Sequence, residues 1–450
     1  MAGKDSAERL NRRKARTGFR DESGSWYILD NAATIMPPTT DSVATGLFRV
    51  SADLDAPVNL PSIQVALERT ARRFPYFSVE LRRGLFWYYL EPHEKPVRVE
   101  LDPESPSQSF RMRRRGTCLF RVRVRGRRIA CEFSHALTDG TGGVRFLKTL
   151  LVEYFRLRGV EAGGEDPDVY RLDEKPEAEE YEDAYNRHFS GVYPHPEAGK
   201  PAFQLGARLL PRHQYRVISG VLPLASALAK AKEFGVSLTE LLAAAYLDAL
   251  QSIWFSAPEK ERRRQRPVAA VEIPVNMRKF YPTKSNRNFS LFVLLTQDYR
   301  LGRRDFAEIV QRAHHQMRME TDAPSIARQI SRNVAGTRSL LVRLVPLFVK
   351  DFFARILFQA FGENLISGFI SNLGPVSLPP GPAAHVERLD FVPAPSKVTK
   401  TNASVLSWKG NLVVDFGSLG RSRELERLFF SRLASLGLPV RIECNLREES

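Results

Sequence analysis

Ser134-His135-Ala136-Leu137-Thr138-Asp139-Gly140-Thr141-Gly142-Gly143 is the stretch on which the reading of this chain turns. The alternating run Ile129-Ala130-Cys131-Glu132-Phe133 before it predicts the end of a strand. After it, Val144, Leu147, Leu151 and Tyr154 recur at helical spacing. His135 therefore stands at a strand-to-helix corner, where the flanking elements hold a side chain still while exposing it to a cleft. A neutral imidazole near its ordinary pKa takes up a proton at physiological pH, but it needs an orienting group. Asp139, four residues on, either fixes the loop by pairing with a distant arginine or orients the ring directly. Gly140, Gly142 and Gly143 permit unusual backbone angles or a close approach, and could offer bare N–H groups at a helix start. Residue types alone fit equally well a His and Asp that do no more than cap the helix.

The segment His135-Ala136-Leu137-Thr138-Asp139-Gly140 resembles the H-x-x-x-D-G motif of the CoA-dependent acyltransferase superfamily. That superfamily includes chloramphenicol acetyltransferase, carnitine acyltransferases, plant BAHD acyltransferases and the condensation domains of nonribosomal peptide synthetases. Three further segments strengthen the resemblance. Ile273-Pro274-Val275-Asn276-Met277-Arg278, with Arg287-Asn288-Phe289 after it, is similar to the mid-chain P-V-N-x-R…N-F pattern. Ser371-Asn372-Leu373-Gly374 is similar to S-N-x-G, and Val414-Asp415-Phe416-Gly417 to the late D-F-G of the BAHD branch. Two positions depart from named branches. Ser134 stands where condensation domains usually carry a second His, and Ser418-Leu419 replaces the BAHD Trp-Gly. The chain resembles most the bacterial alcohol acetyltransferase and condensation-like branch.

The resemblance implies an α/β layered sandwich of two chloramphenicol-acetyltransferase-like lobes, a pseudo-dimer with an active-site tunnel at the seam. It implies acyl transfer from a thioester, acyl-CoA or an acyl-carrier protein, to a small alcohol or amine, with no covalent enzyme intermediate and no bound cofactor or metal. His135 would be the general base, with the Gly140 backbone and Ser371 or Asn372 facing the oxyanion. Asp139 would pair with Arg278 across the lobes, and Lys397 and Lys400 would meet CoA phosphates. An exposed turn arginine is an equal reading of Arg278. The alternatives are a condensation-type enzyme using carrier-bound acyl groups, and a non-catalytic binding or scaffold member of the fold.

The chain's formal net charge of +16 has several readings. Basic clusters occur at Arg12-Arg13-Lys14, Arg111 with Arg113-Arg114-Arg115, Arg127-Arg128, and Arg262-Arg263-Arg264 with Arg266. No helix-turn-helix, zinc-finger or RNP pattern accompanies them, so nucleic-acid binding is not expected. Solvated loops, a rim attracting CoA phosphates or an acidic carrier protein, and peripheral contact with an anionic membrane all fit. Cys118, Cys131 and Cys444 lack metal-ligand spacing and read as reduced thiols of a cytoplasmic protein. The charged first twenty residues lack the apolar core of a signal peptide. Leu340 to Phe361 is the most apolar stretch, yet Arg343, Lys350, Asp351 and Arg355 interrupt it. It reads as a buried or interfacial amphipathic helix, one that could line an acyl tunnel, and not as a span.

Residues 1–20 read as a disordered basic tail, and residues 21–157 as an N-terminal lobe of strands and helices. Within that lobe, hairpins over Arg83-Gly84 and Arg125-Gly126 flank the approach to His135. Residues 158–206 read as an acidic linker with a solvated face, and 207–450 as a C-terminal lobe. There Ser237-Leu238-Thr239-Glu240 is a capping box opening a long helix. A hairpin through Val405–Phe416 followed by a helix repeats the order hairpin–corner–helix of the first lobe.

Overall fold

The computed structural model describes residues 26–446 other than 190, 192, 194–199, 207, 339 and 362. The expected tail over residues 1–20 lies outside them. Strands in the first part of the chain are β1 Tyr27–Ile28, β2 Leu47–Leu54, β3 Val79–Arg83, β4 Tyr88–Pro92, β5 Val99–Leu101, β6 Phe120–Arg125 and β7 Arg128–Ser134. They are followed by β8 Arg216–Pro223, β9 Val268–Asn276, β10 Ser290–Asp298, β11 Gly368–Pro375, β12 Val386–Val392, β13 Thr401–Trp408, β14 Asn411–Ser418 and β15 Arg441–Cys444. The principal helices are α1 Leu60–Arg73, α2 Gly140–Leu157, α3 Leu224–Glu233, α4 Leu238–Ser256, α5 Phe306–Glu320, α6 Ala323–Arg338, α7 Leu340–Leu344, α8 Leu347–Phe361 and α9 Glu424–Ser435.

Two lobes result, each a sheet with helices on one face. In the first, the order β12-β2-β7-β6-β5 places β7, the strand that leads to His135, at the centre. The helices α1 and α2 pack over it because their apolar stripes, Ile63, Ala66 and Leu67 on α1 and Phe146, Leu147 and Leu150 on α2, are buried. Phe48, Phe74, Phe77, Phe133 and Phe146 fill the space between helices and sheet. The hairpin β6–β7 turns at Gly126, whose φ of +57° suits glycine. A separate three-stranded sheet has the order β1-β4-β3.

In the second lobe the sheet order is β10-β9-β11-β13-β14-β8-β15. Its helix α4 opens on the expected capping box: Ser237 Oγ accepts from the Glu240 N–H at 3.3 Å, and Glu240 Oε2 from the Ser237 N–H at 2.6 Å. The hairpin β13–β14 leads to α9 as β6–β7 leads to α2, which matches the expected repeat.

Three features differ from the sequence reading. Strand β12 comes from the second half of the chain yet joins the first lobe's sheet, with Val392 opposite Arg49 and Leu389 opposite Ala52. Its apolar Leu389, Phe391 and Val392 are buried there. The acidic segment is not a wholly solvated face. Glu180 is 1% exposed and accepts hydrogen bonds from both Arg73 amino groups at 2.7 and 2.8 Å and from the Tyr76 hydroxyl at 2.8 Å. Arg73 is itself buried, and a buried guanidinium requires such a partner. Lastly, Pro346 separates Leu340–Phe361 into α7 and α8. The cysteines are free, and burial pushes the Cys118 and Cys131 thiols well up, which leaves them unreactive.

Candidate active site

Strand β7 delivers the chain to His135, whose N–H donates to the Gly46 carbonyl at 3.0 Å. The Leu137 N–H turns back to the Ser134 carbonyl at 2.8 Å and closes the corner. Ser134 is buried, and its hydroxyl accepts from the Ala136 N–H at 3.2 Å, so it serves the turn. The His135 ring is half-buried and lies 4.7 Å from the Phe48 ring centre.

Asp139 caps α2. Its Oδ1 accepts from the Gly142 N–H at 3.2 Å, and its Oδ2 from Arg278 Nη1 at 2.8 Å and the Phe289 N–H at 2.9 Å. Both oxygens are thus engaged by the backbone and by the second lobe. The Arg278 guanidinium also donates to the Ser285 carbonyl at 3.0 Å and the Arg287 carbonyl at 2.6 Å, which fixes its direction. More contacts close the lobes on this loop: Thr138 Oγ1 donates to the Asn286 carbonyl at 2.6 Å, and Asn276 Nδ2 to Thr141 Oγ1 at 3.2 Å. Gly142 is required by this closure, since a Cβ there would lie 2.5 Å from the Asn286 carbonyl oxygen.

The electrostatics follow from this packing. Burial pushes the His135 pKa below its ordinary value, against the pull of the Asp139 charge, the Asn288 side chain and the Thr138 backbone. Burial thus favours the neutral ring, while groups that favour its protonated form stand close by. For Asp139 burial works upward, but Arg278 and the Phe289 and Gly142 N–H groups hold the carboxyl below the usual range. Asp30, buried beside Asp183, is pushed up to about 7, with Arg287, Asn288 and the Ala33 N–H pulling the other way.

Thus His135, Asp139, Gly140 and Arg278 come together. Ser371 and Asn372 lie on β11, and it is their neighbour Leu373 that approaches this loop: a Cβ on Gly140 would stand 2.7 Å from Leu373 Cδ2. Asn372 has its amide engaged, Nδ2 donating to Thr239 Oγ1 at 3.0 Å and Oδ1 accepting from the Gly374 N–H at 2.8 Å. Lys397 pairs with Asp41, and Lys400 donates to the Leu205 carbonyl. Asn288 and Asp30 were not singled out from the sequence as site residues. Asn288 lay within the N-F segment, whereas Asp30 had no signal beyond its place after a short apolar run.

A cavity of about 990 Å³ opens on the first lobe, lined there by Lys95, Arg98, Arg111 and Arg114 among others, with Arg212, His213 and Lys397 from later in the chain. Lys397 is thus on its wall and Lys400 is not. Ser109 and His213, both at positive φ, meet across it at 3.1 Å. His135 is not among its lining residues.

By sequence the chain matches no protein-family profile and no curated protein. By structure it has the two-lobed, chloramphenicol-acetyltransferase-like fold of condensation domains and CoA-dependent acyltransferases. Polyketide synthase associated protein 5 from Mycobacterium tuberculosis aligns over 87% of this chain and 94% of its own, at TM-score 0.56 and 14% identity. The starter condensation domain of rhizomide synthetase, solved with C8-CoA, aligns over 92% and 95%, at TM-score 0.56 and 14% identity. Trichothecene 15-O-acetyltransferase from Fusarium sporotrichioides aligns over 92% and 96%, at TM-score 0.57 and 11% identity.

Proposed function

We propose that this protein is an acyltransferase that moves an acyl group from acyl-CoA to an alcohol, with His135 as general base. The observation that carries the reading is the His135 corner tied to the second lobe, by Asn288 on the His135 carbonyl and by the Asp139–Arg278 pair on the same loop. In the reaction His135 takes the hydroxyl proton as the alcohol oxygen bonds to the thioester carbonyl carbon. The carbon–sulfur bond then breaks, the proton passes to the departing sulfur, and ester and free thiol leave. A base of this kind contributes about 10²- to 10⁴-fold. Oxyanion stabilisation falls to the Gly140 backbone and Ser371; Asn372 is a weaker candidate because its amide is engaged. The basic cavity suits the phosphates of the donor, with Lys397 on its wall.

The condensation-type reading, with a carrier-bound acyl donor, is favoured by one observation: the condensation domains among the structural neighbours. Incubation with acetyl-CoA and a panel of alcohols and amines, with release of free thiol as the readout, separates the two. Thiol release lost in His135→Ala, with the melting temperature kept, supports the first reading. Turnover only with a carrier-bound acyl group supports the second, and near-wild-type turnover of His135→Ala removes the base from the scheme.

A further inference from the structure

Helix α8 carries an apolar face that the rest of the protein leaves open. Phe348, Phe352, Phe353, Ile356 and Leu357 follow one another at helical spacing, each between 48% and 64% exposed. Leu344, just before Pro346, and Leu85 and Trp87 at the tip of the β3–β4 hairpin extend the same surface and are also exposed. The opposite side of α8 is firmly held. The Leu347 N–H donates to the Leu85 carbonyl at 2.8 Å, and Lys350 Nζ to the Phe86 carbonyl at 2.9 Å. Asp351 accepts the Tyr88 hydroxyl at 2.6 Å, and Arg355 Nε donates to the Pro38 carbonyl at 2.9 Å. The open face is therefore a built surface on a fixed helix, and contiguous exposed apolar area of this kind marks an interaction site.

Charge selects the occupant. Arg83, Arg343 and Arg355 are exposed around the face, with Lys350 half-buried beside them. The acid of the segment, Asp351, is buried beneath the helix against Tyr88. A second copy docked by a two-fold axis would bring these cations against their own images, which disfavours self-association. A protruding apolar helix rimmed by cations, with a tryptophan at its edge, has the composition of a helix lying in a lipid interface. Among the described residues no helix is long and apolar enough to cross a membrane, so the fit is to the surface.

We propose that this face of α8, with the β3–β4 hairpin tip, docks on an anionic lipid bilayer, its aromatic and aliphatic side chains entering the headgroup boundary. The docking does not rest on the acyl-transfer reading.

Full-length protein is spun with vesicles of phosphatidylcholine alone and of phosphatidylcholine with phosphatidylglycerol. The wild type is expected to pellet with the anionic vesicles and to be released by salt. Phe352→Ser, Phe353→Ser and Ile356→Ser together should weaken partitioning by about tenfold or more, and Arg83→Glu with Arg343→Glu should abolish the preference for phosphatidylglycerol. Should the triple variant not fold, Trp87 decides alone. Its emission should be quenched by spin-labelled lipid in a Trp26→Phe background, and Trp87→Phe in that background should lose the quenching, since Trp254 and Trp408 are buried whereas Trp26 is half-buried. The proposal is overturned if the wild type stays in the supernatant, if the folded triple variant binds unchanged, or if quenching survives Trp87→Phe in the Trp26→Phe background. A wild-type dimer that binds no lipid and becomes monomeric in the triple variant would give the face to a second copy.

Discussion

Asp30 and His135 share one donor: Asn288 Nδ2 lies 2.9 Å from Asp30 Oδ2 and 2.9 Å from the His135 carbonyl oxygen. The Asn288 side chain also favours the protonated form of the imidazole. Asn288→Ala should lower kcat/KM by about 10²-fold through misplacement of the ring. It should also move the acid inflection of the pH–rate profile further down, because a group that raises the His135 pKa is lost. In the wild type that inflection should already lie below 6.5, the ordinary imidazole value, with activity rising as pH rises through it. A profile inflecting above 6.5 would be incompatible with the site described.

Asp139 and Arg278 form a nearly buried pair between the lobes. Removing one partner leaves an uncompensated buried charge, which costs about 3–5 kcal/mol. Asp139→Ala should therefore lower both the melting temperature and the activity, and Arg278→Ala should do the same. In a double-mutant cycle the two losses should fall well short of additive. If Asp139→Ala loses rate with unchanged melting, Asp139 acts on the ring directly and not on the closure.

Glu132, on the strand leading to His135, is fully buried. Burial by itself raises its pKa, but Arg49, Arg121, Arg123 and the Ser107 N–H outweigh it and bring the carboxyl down to about 2. Because the folded value lies below the unfolded one, the stabilisation is present above about 4.5. It is lost as pH falls through about 2. Thermal unfolding should show a falling melting temperature across that window. Glu132→Gln should cost about 3–5 kcal/mol at neutral pH and flatten the acid dependence. A Glu132→Gln protein with wild-type melting at neutral pH would contradict this.

Lys397 and Arg111 face the basic cavity. If donor phosphates sit there, Lys397→Ala with Arg111→Ala should raise KM for acyl-CoA about tenfold or more with little change in kcat, as loss of charge-assisted hydrogen bonds predicts. Lys409→Ala, in the exposed β13–β14 turn, is the control. An unchanged KM in the double variant would place the donor elsewhere.

What the sequence by itself determined is local. The alternation through Ile129–Phe133, the glycines after Asp139 and the apolar spacing from Val144 are properties of neighbouring residues, and they specify strand, corner, cap and helix. The Ser237–Glu240 capping box is of the same kind. Only the tertiary structure decided that β12 would complete the first lobe's sheet, because strand pairing depends on which edge is left open once both lobes have collapsed. It alone decided that Asp30 would meet Asn288, 258 positions away, and that Glu180 would be drawn under Arg73. Side chains so far apart are brought together by burial of the surfaces between them, and no period or spacing along the chain encodes that meeting.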